Sequence, residues 1–321
     1  MRWLITGGCG FIGTSLVRSL VAEGVHSIRI IDNLSVGTRE DLETVSAFSE
    51  TDKVNDFPTS GVELVVGDIL NESLALEVVN GADVIVHLAA NTGVGPSVED
   101  PRKDCVSNVI GTLNYLEAAR HNKVKRFVLA SSGAPVGECE PPIHEELAPH
   151  PVSPYGASKL AGEGYCAAYY RTFGVETVCL RFGNVYGPGS GHKNSVVAKF
   201  IKQAMNGETL EIYGDGTQTR DFIYIEDLVR AIQLAASKED VGGEVFQIAT
   251  NKETTVGEMV DILLSILKEA GIDNVQVIHG EKRQGDVMRN YSDTSKAKAI
   301  LNWKCEINLK LGLRLTIESF V

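Results

Sequence analysis

Thr6-Gly7-Gly8-Cys9-Gly10-Phe11-Ile12-Gly13 is the stretch on which the fold turns. Apolar and β-branched residues lead into it over 2–6, and residues 13–23 leave it with helical apolar spacing. Strand, glycine loop and helix in that order open a parallel βα unit. Glycines 7, 10 and 13 permit a tight turn and let backbone N–H groups approach a pyrophosphate. The helix N-terminus that follows favours its negative charge. A glycine trio by itself also occurs as a plain tight turn. The second strand, residues 27–31, ends in Asp32, about 20 residues past the loop. A carboxylate there bonds the hydroxyls of an adenine ribose and repels a 2′-phosphate, so the pattern favours NAD over NADP. The plainer reading of Asp32 is a turn residue before Asn33. Arg29 and Arg39 lie close in sequence and could weaken the NAD preference; solvation of helix and loop is the plainer role for both.

Further along the chain the alternation continues. Strands are expected over 62–66, 84–88, 126–130 and 177–181, with a helix over 109–121. Strands separated by helices imply an α/β protein with a Rossmann-like, doubly wound parallel sheet over residues 1–180. Residues 35–60, rich in Ser, Thr, Asp and Glu, read as a surface excursion. After Asn184 the texture changes. Gly187-Pro188-Gly189-Ser190-Gly191 is loop chemistry, and Gly214-Asp215-Gly216 marks a turn. Helices are expected over 196–206, 226–237 and 256–270, and a strand over 244–248. Residues 181–321 therefore read as a smaller α/β lobe packed on the first, leaving a cleft, with part of 221–250 able to return to the first domain.

The chain has 321 residues, and at about 150 per domain that suits two domains. Hydrophobic residues make up 43% and charged residues 22%, which excludes intrinsic disorder. Thirty Lys and Arg against 42 Asp and Glu leave a net charge of −12, a poor basis for nucleic-acid binding. No polybasic segment suits an anionic membrane surface, and no apolar run approaches the ~20 residues of a membrane span. The first residues carry no signal-peptide pattern. Six cysteines without Cys-x-x-Cys, and seven histidines without ligand spacing, read as reduced thiols in a cytoplasmic protein with no metal site.

Two further segments carry chemistry. Tyr155-Gly156-Ala157-Ser158-Lys159 places a phenol and an ammonium on one face of a helix, with Pro154 suiting its start. A free phenol ionises near pH 10. A neighbouring ammonium and a positively charged nicotinamide would favour the phenolate and make a general base. Alone, the pair is also the pattern of an exposed helix face. Ser131-Ser132 follows the strand over 126–130, at the sheet edge where ligands bind in open α/β folds. Alone, it is equally a turn or a helix cap.

Taken together, the sequence resembles the extended short-chain dehydrogenase/reductase family, in its nucleotide-sugar epimerase and dehydratase branch. The matching stretches run nearly end to end: residues 6–13, Asp32-Asn33-Leu34-Ser35, Gly67-Asp68-Ile69, His87-Leu88-Ala89-Ala90, Ser131-Ser132 and Tyr155-Gly156-Ala157-Ser158-Lys159, then residues 181–188, 214–222 and Arg283-Gln284-Gly285-Asp286. The resemblance implies Tyr155 as base, Lys159 as its electrostatic partner and nicotinamide-ribose ligand, and Ser132 as the hydroxyl partner. It implies that Phe11, Ile12, Asp32, Asn33, Ser35, Asp68, Ile69, Leu88, Ala89, Ala90, Thr92 and Asn108 surround NAD together with Gly7, Gly10 and Gly13. It implies that Asn184, Ser195, Val196, Tyr213, Arg220, Arg283 and Asp286 hold a nucleotide diphosphate sugar. Guanidinium forks match phosphate oxygens, which suits Arg220 and Arg283; their plainer role is pairing with Asp221 or Asp286. A homodimer through helices 109–120 and 155–169 is also implied.

Within this branch a 4,6-dehydratase carries an Asp-Glu pair after the active-site hydroxyl residue, and the decarboxylases keep the glutamate. Here those positions are Gly133 and Ala134. The expected reaction is therefore epimerisation, with C4 of a UDP-hexose as the family's commonest case. Val136 stands in place of the family's usual tyrosine and Gly183 in place of an aromatic residue of the galactose-type epimerases. These changes would enlarge the sugar pocket or change its polarity and admit an N-acetylated, carboxylated or otherwise unusual sugar. Alternatives are a 4,6-dehydratase, a net reductase or dehydrogenase, and a non-catalytic NAD-binding regulator. An intact Ser132, Tyr155 and Lys159 speak against the last.

Overall fold

Residues 3–6 are apolar on both sides of the strand: Trp3 and Ile5 face one layer of core, and Leu4 the other. That is the pattern of a strand covered on both faces. In a computed structural model, which describes residues 1–25, 27–192, 195–281 and 287–320, this strand lies in the middle of an eight-stranded sheet. The first seven strands are β1 (Trp3–Thr6), β2 (Ser27–Asp32), β3 (Phe48–Glu50), β4 (Gly61–Val66), β5 (Val84–His87), β6 (Arg126–Ser132) and β7 (Thr177–Phe182). Beyond them come β8 (Asn184–Tyr186), β9 (Leu210–Tyr213), β10 (Thr219–Arg220), β11 (Phe222–Tyr224) and β12 (Glu244–Ile248), then β13 (Thr254–Thr255) and β14 (Val277–Gly280). The sheet order is β12-β7-β6-β5-β1-β2-β4-β3, with every pair parallel. The order reverses between β1 and β5, so the crevice for a ligand opens above the carboxyl ends of those two strands.

The helices are α1 (Phe11–Ala22), α2 (Arg39–Glu43), α3 (Glu72–Val79), α4 (Val94–Glu99), α5 (Pro101–Cys105), α6 (Gly111–His121), α7 (Pro154–Phe173), α8 (Val196–Met205), α9 (Ile225–Ser237), α10 (Val256–Glu269) and α11 (Leu309–Glu318). Helices α3, α6 and α7 cover one face of the sheet through Val78, Leu116 and Tyr169. Leu16 and Leu20 of α1 and Leu228 and Ile232 of α9 cover the other. Each such leucine contributes about 1.5–3 kcal/mol by leaving water. The second core layer continues without a break into Phe200, Met259, Leu263 and Trp303, so the smaller lobe is welded to the sheet.

Two features depart from the sequence reading. Residues 35–60 are more than a surface excursion: they form α2, closed by a capping box between Thr38 and Asp41, and β3, the edge strand of the main sheet. Arg29 explains how this polar segment is held. It is fully buried, bonds Glu63 at 2.5 Å and the carbonyls of Asn55, Asp56 and Val78, and stacks on Phe57. The expected helix over 109–121 is longer and interrupted. It begins as α5, passes through one π-helical turn (Val106–Ile110), and continues as α6. Such π turns often occur at functional sites. Among the described residues, no helix is long and apolar enough to cross a membrane.

Candidate active site

Each glycine of the opening loop has its own reason. Gly7 takes φ +70, and a Cβ there would lie 2.8 Å from the Ala89 nitrogen. At Gly13 a Cβ would lie 2.4 Å from the Gly7 carbonyl, so only glycine lets α1 sit against the loop. At Gly10 a Cβ would touch only the Gly7 oxygen, at 3.4 Å, leaving the loop open above it. Gly10 is the N-cap of α1 and makes no side-chain capping bond, and the first turn, from Phe11 through Ile12, has no acid. A helix start left uncapped by the protein under an open glycine is a cradle for a pyrophosphate.

The rest of the rim follows from the sheet. Asp32 ends β2, is buried, and accepts from Cys9 N at 3.0 Å and Leu34 N at 2.9 Å. Burial pushes its carboxyl up, against those two bonds. It therefore ties the glycine loop to the turn as well as standing where a ribose is expected. Asn33 donates to Asp68 at 3.0 Å, joining the ends of β2 and β4, while its side-chain Oδ1 accepts from Ser35 N. Ile69 packs on Gly111. Arg29 and Arg39 both have partners, Glu63 and Glu50, so neither is set to draw in a 2′-phosphate.

At the switch point, Thr6 Oγ1 accepts from Ala89 N at 3.1 Å and lies 3.0 Å from His87 Nδ1. Burial lowers the His87 imidazole to about 3, with Lys159 adding to the effect, so it is neutral. This chain of contacts fixes the segment Leu88-Ala89-Ala90 above β1. Asn108, on the π turn, is also buried. Its Oδ1 accepts from Asn91 N at 2.8 Å, and its Nδ2 contacts Asn91 O, Asp104 Oδ1 and Ser158 Oγ. Asn108 is thus a brace for the loop leading to exposed Thr92 rather than a side chain open to a ligand.

Ser132, Tyr155 and Lys159 come together. Pro154 starts α7, and Ser153 caps it by accepting from Gly156 N. The phenol of Tyr155 hydrogen-bonds Ser132. The Lys159 ammonium is buried, donates to the Ala130 carbonyl at 2.8 Å and lies 5.9 Å from the centre of the Tyr155 ring. Burial pushes Tyr155 up to about 12; the Ser132 bond works against this and the charge of Asp104 with it. Burial lowers Lys159 to about 8, against the charges of Asp104 and Glu163. In the protein by itself desolvation therefore keeps the phenol protonated; the expected activation joins the ammonium to a positively charged nicotinamide.

Two functional neighbours escaped the sequence reading. Glu163, one helical turn beyond Lys159, is buried and clamped to Arg181 at 2.9 and 2.7 Å and to Ser131. The spacing Tyr155, Lys159, Glu163 was a signal for it, since residues four apart share a helix face. The other is Asp104, fully buried beneath the pair.

The expected substrate residues are brought together only in part. Asn184 is exposed on β8, which pairs with β11, and its nitrogen donates to Asp221 O at 2.8 Å beside Arg220. Arg220 is half-buried and donates to the carbonyls of Thr219 and Val287. Its plainer partner Asp221 is taken: that buried carboxylate accepts from Thr250, Asn251 and Ser292. Ser195 occupies the N-cap position of α8 ahead of Val196 without a side-chain capping bond, and its buried Oγ has no partner among the described residues. Tyr213 is exposed at the end of β9, with Lys199 over its ring. Arg283 and Asp286 lie outside the described residues. Val136 is 1% exposed, and a Cβ on Gly183 would come within 3.0 Å of the Asp221 carbonyl and 3.1 Å of Ala249. Both positions are thus closely packed against the protein itself.

The comparisons agree with this architecture. Residues 3–249 match the model of the NAD dependent epimerase/dehydratase family. A putative UDP-glucose 4-epimerase of Methanocaldococcus jannaschii is 37% identical over 98% of this chain and 97% of its own. The UDP-glucose 4-epimerase of Mycolicibacterium smegmatis is 35% identical over 100% and 98%. The crystal structure of a UDP-glucose 4-epimerase from Thermotoga maritima with UDP-glucose superposes with a TM-score of 0.88, at 35% identity over 100% of this chain and 98% of that one. With its parallel sheet reversing at the glycine loop and its serine, tyrosine and lysine gathered beside it, the chain belongs to the NAD dependent epimerase/dehydratase family.

Proposed function

We propose that this NAD-dependent epimerase inverts C4 of a UDP-hexose. The observation that carries the reaction type is the pair beside Ser132. A Cβ on Gly133 would meet nothing within 4 Å, so a longer side chain has room there, yet neither Gly133 nor Ala134 supplies an acid or a base. Elimination of water needs such groups; inversion does not. Glu140, the nearest downstream candidate with a contact, pairs with Arg289. The nucleotide and the carbon follow from relatives named UDP-glucose 4-epimerase.

Gly7, Gly10, Gly13 and the start of α1 would hold the pyrophosphate of NAD, Asp32 the adenine ribose and Lys159 the nicotinamide ribose. NAD held there would supply the hydride acceptor and donor for the sugar. Tyr155 accepts the proton of the sugar hydroxyl and later returns it, and Ser132 holds the oxygen involved. A keto-sugar exists between the two transfers and must turn over within the site, so the residues near it must release its ring while Asn184, Ser195 and Arg220 keep the diphosphate. Lys159 keeps one bond to Ala130 and has further N–H groups to offer.

The protein is further proposed to act as a cytoplasmic homodimer. Exposed Ile110, Tyr165 and Phe173 on the π turn and α7 supply an apolar face, and six unpaired thiols suit a reducing compartment. Incubation with a panel of nucleotide sugars, followed by proton NMR, tests the reading. Interconversion of UDP-glucose and UDP-galactose without net NADH is expected. Formation of a 4-keto-6-deoxy sugar, or stoichiometric NADH release, would overturn it.

A further inference from the structure

The site contains a carboxylate that the reaction scheme does not use. Asp104 comes from α5, is fully buried, and among the described residues has no cation within ion-pair distance. Its Oδ1 accepts from Asn108 Nδ2 at 3.0 Å, and its Oδ2 is buried without a partner among the described residues. A buried carboxylate in that state is costly unless a charge nearby compensates it.

The charges around it identify the compensating group. Glu163 is already neutralised: Arg181 holds both of its oxygens, and Ser131 adds a third bond. Lys159 faces Asp104 from α5, Glu163 from its own helix, Cys179 from β7 and the neutral His87 from β5. With Glu163 held by Arg181, Asp104 is the larger negative charge facing the ammonium. The same Asn108 amide that Asp104 holds also contacts Ser158, between Tyr155 and Lys159, and the Asn91 carbonyl in the loop after β5.

We infer that Asp104 is a positioning residue for the reaction: the buried counter-charge that keeps Lys159 an ammonium, and the anchor of the Asn108 brace. It touches no reacting atom. The inference rests on the reading of Tyr155 and Lys159 as the working pair. Its sign is fixed. An opposite charge favours the ammonium and burial opposes it, so removing Asp104 leaves burial less opposed and the proton is lost at lower pH.

Asp104→Asn keeps an oxygen for Asn108 and removes only the charge. The Lys159 ammonium is titrated directly by NMR of its side-chain carbons in NAD-loaded protein, assigned with Lys159→Arg. Its midpoint is expected to fall by about one unit in Asp104→Asn, and the alkaline limb of the kcat/KM profile with it, while NAD affinity below that midpoint stays within about twofold. Asp104→Ala should show the same displacement and also weaken NAD binding about tenfold, because the brace is lost. Asp104→Ser, neutral and smaller, decides the matter if the other variants do not accumulate folded. An unmoved Lys159 midpoint in a folded neutral variant overturns the inference. The NMR titration needs no turnover, so absence of epimerase activity would refute the proposed function and leave this test intact.

Discussion

Tyr155 was legible because its spacing to Lys159 is a chemical sentence in itself, whereas Asp104 was not. In Asp100-Pro101-Arg102-Lys103-Asp104 every residue looks like the solvated face of a helix. Only the packing of α5 under α7 turns one of them inward. Asn108 lies between these cases: the resemblance placed it at the cofactor, and the structure gives its side chain to Asn91, Asp104 and Ser158 instead. Tyr155→Phe removes the proton acceptor and leaves the ring. Turnover should fall by about 10²–10⁴-fold with NAD affinity nearly unchanged, as read by steady-state kinetics and by calorimetry on the same preparation. A matching loss of NAD binding would show the phenol to be a ligand first. The second prediction concerns Lys159, whose proton burial loosens to about 8. Below that pH the side chain is an ammonium and above it a neutral amine. NAD affinity should therefore fall as pH rises through about 8, by about tenfold for one charge-assisted bond. Calorimetric titrations across that range check it, and Lys159→Met should flatten the profile.

The strands that alternate apolar residues over both faces were readable as a doubly wound sheet, because burial on both sides leaves a long β-branched record. Strand β3 left none. Phe48-Ser49-Glu50 is short, half polar and at the sheet's edge, where only one neighbour holds it. Likewise the sequence marked residues 244–248 as a strand, but which sheet it joins depends on the pairing of Phe246 with Leu180, a contact far apart in the chain. The excursion that carries β3 is fastened from below by Arg29. Replacing Arg29 with methionine would leave Glu63, and the carbonyls of Asn55, Asp56 and Val78, without their donor. Loss of one member of a buried pair costs about 3–5 kcal/mol. Glu63 retains some contact with water, so about 2–4 kcal/mol is expected here. Urea unfolding measures it, and limited proteolysis should then cut first within residues 51–60. An unchanged urea midpoint would mean that the excursion is held by Phe57 and β3 alone.

At the scale of the whole molecule, a chain of net charge −12 binds two anions. One continuous core joins the sheet to the smaller lobe, so charges on the two cannot rearrange far to meet a ligand. The far field and the near field then act in opposite directions. At long range the molecule repels an anion; close to the α1 terminus, Lys159 and Arg220 the local charge favours one. Salt separates the two, because the screening length falls from about 30 Å at 0.01 M to about 10 Å at 0.1 M. That change removes the long approach from the protein's field while leaving contacts of a few ångströms nearly untouched. The association rate of UDP, measured by stopped-flow, should therefore rise with added salt, by up to about threefold over that range, while its dissociation rate changes little. A protein whose cleft dominates its outer field would do the reverse and bind more slowly as salt is added. A falling rate would thus place a positive local potential strong enough to overcome the net acidity, and would make Arg220 and its neighbours steering groups.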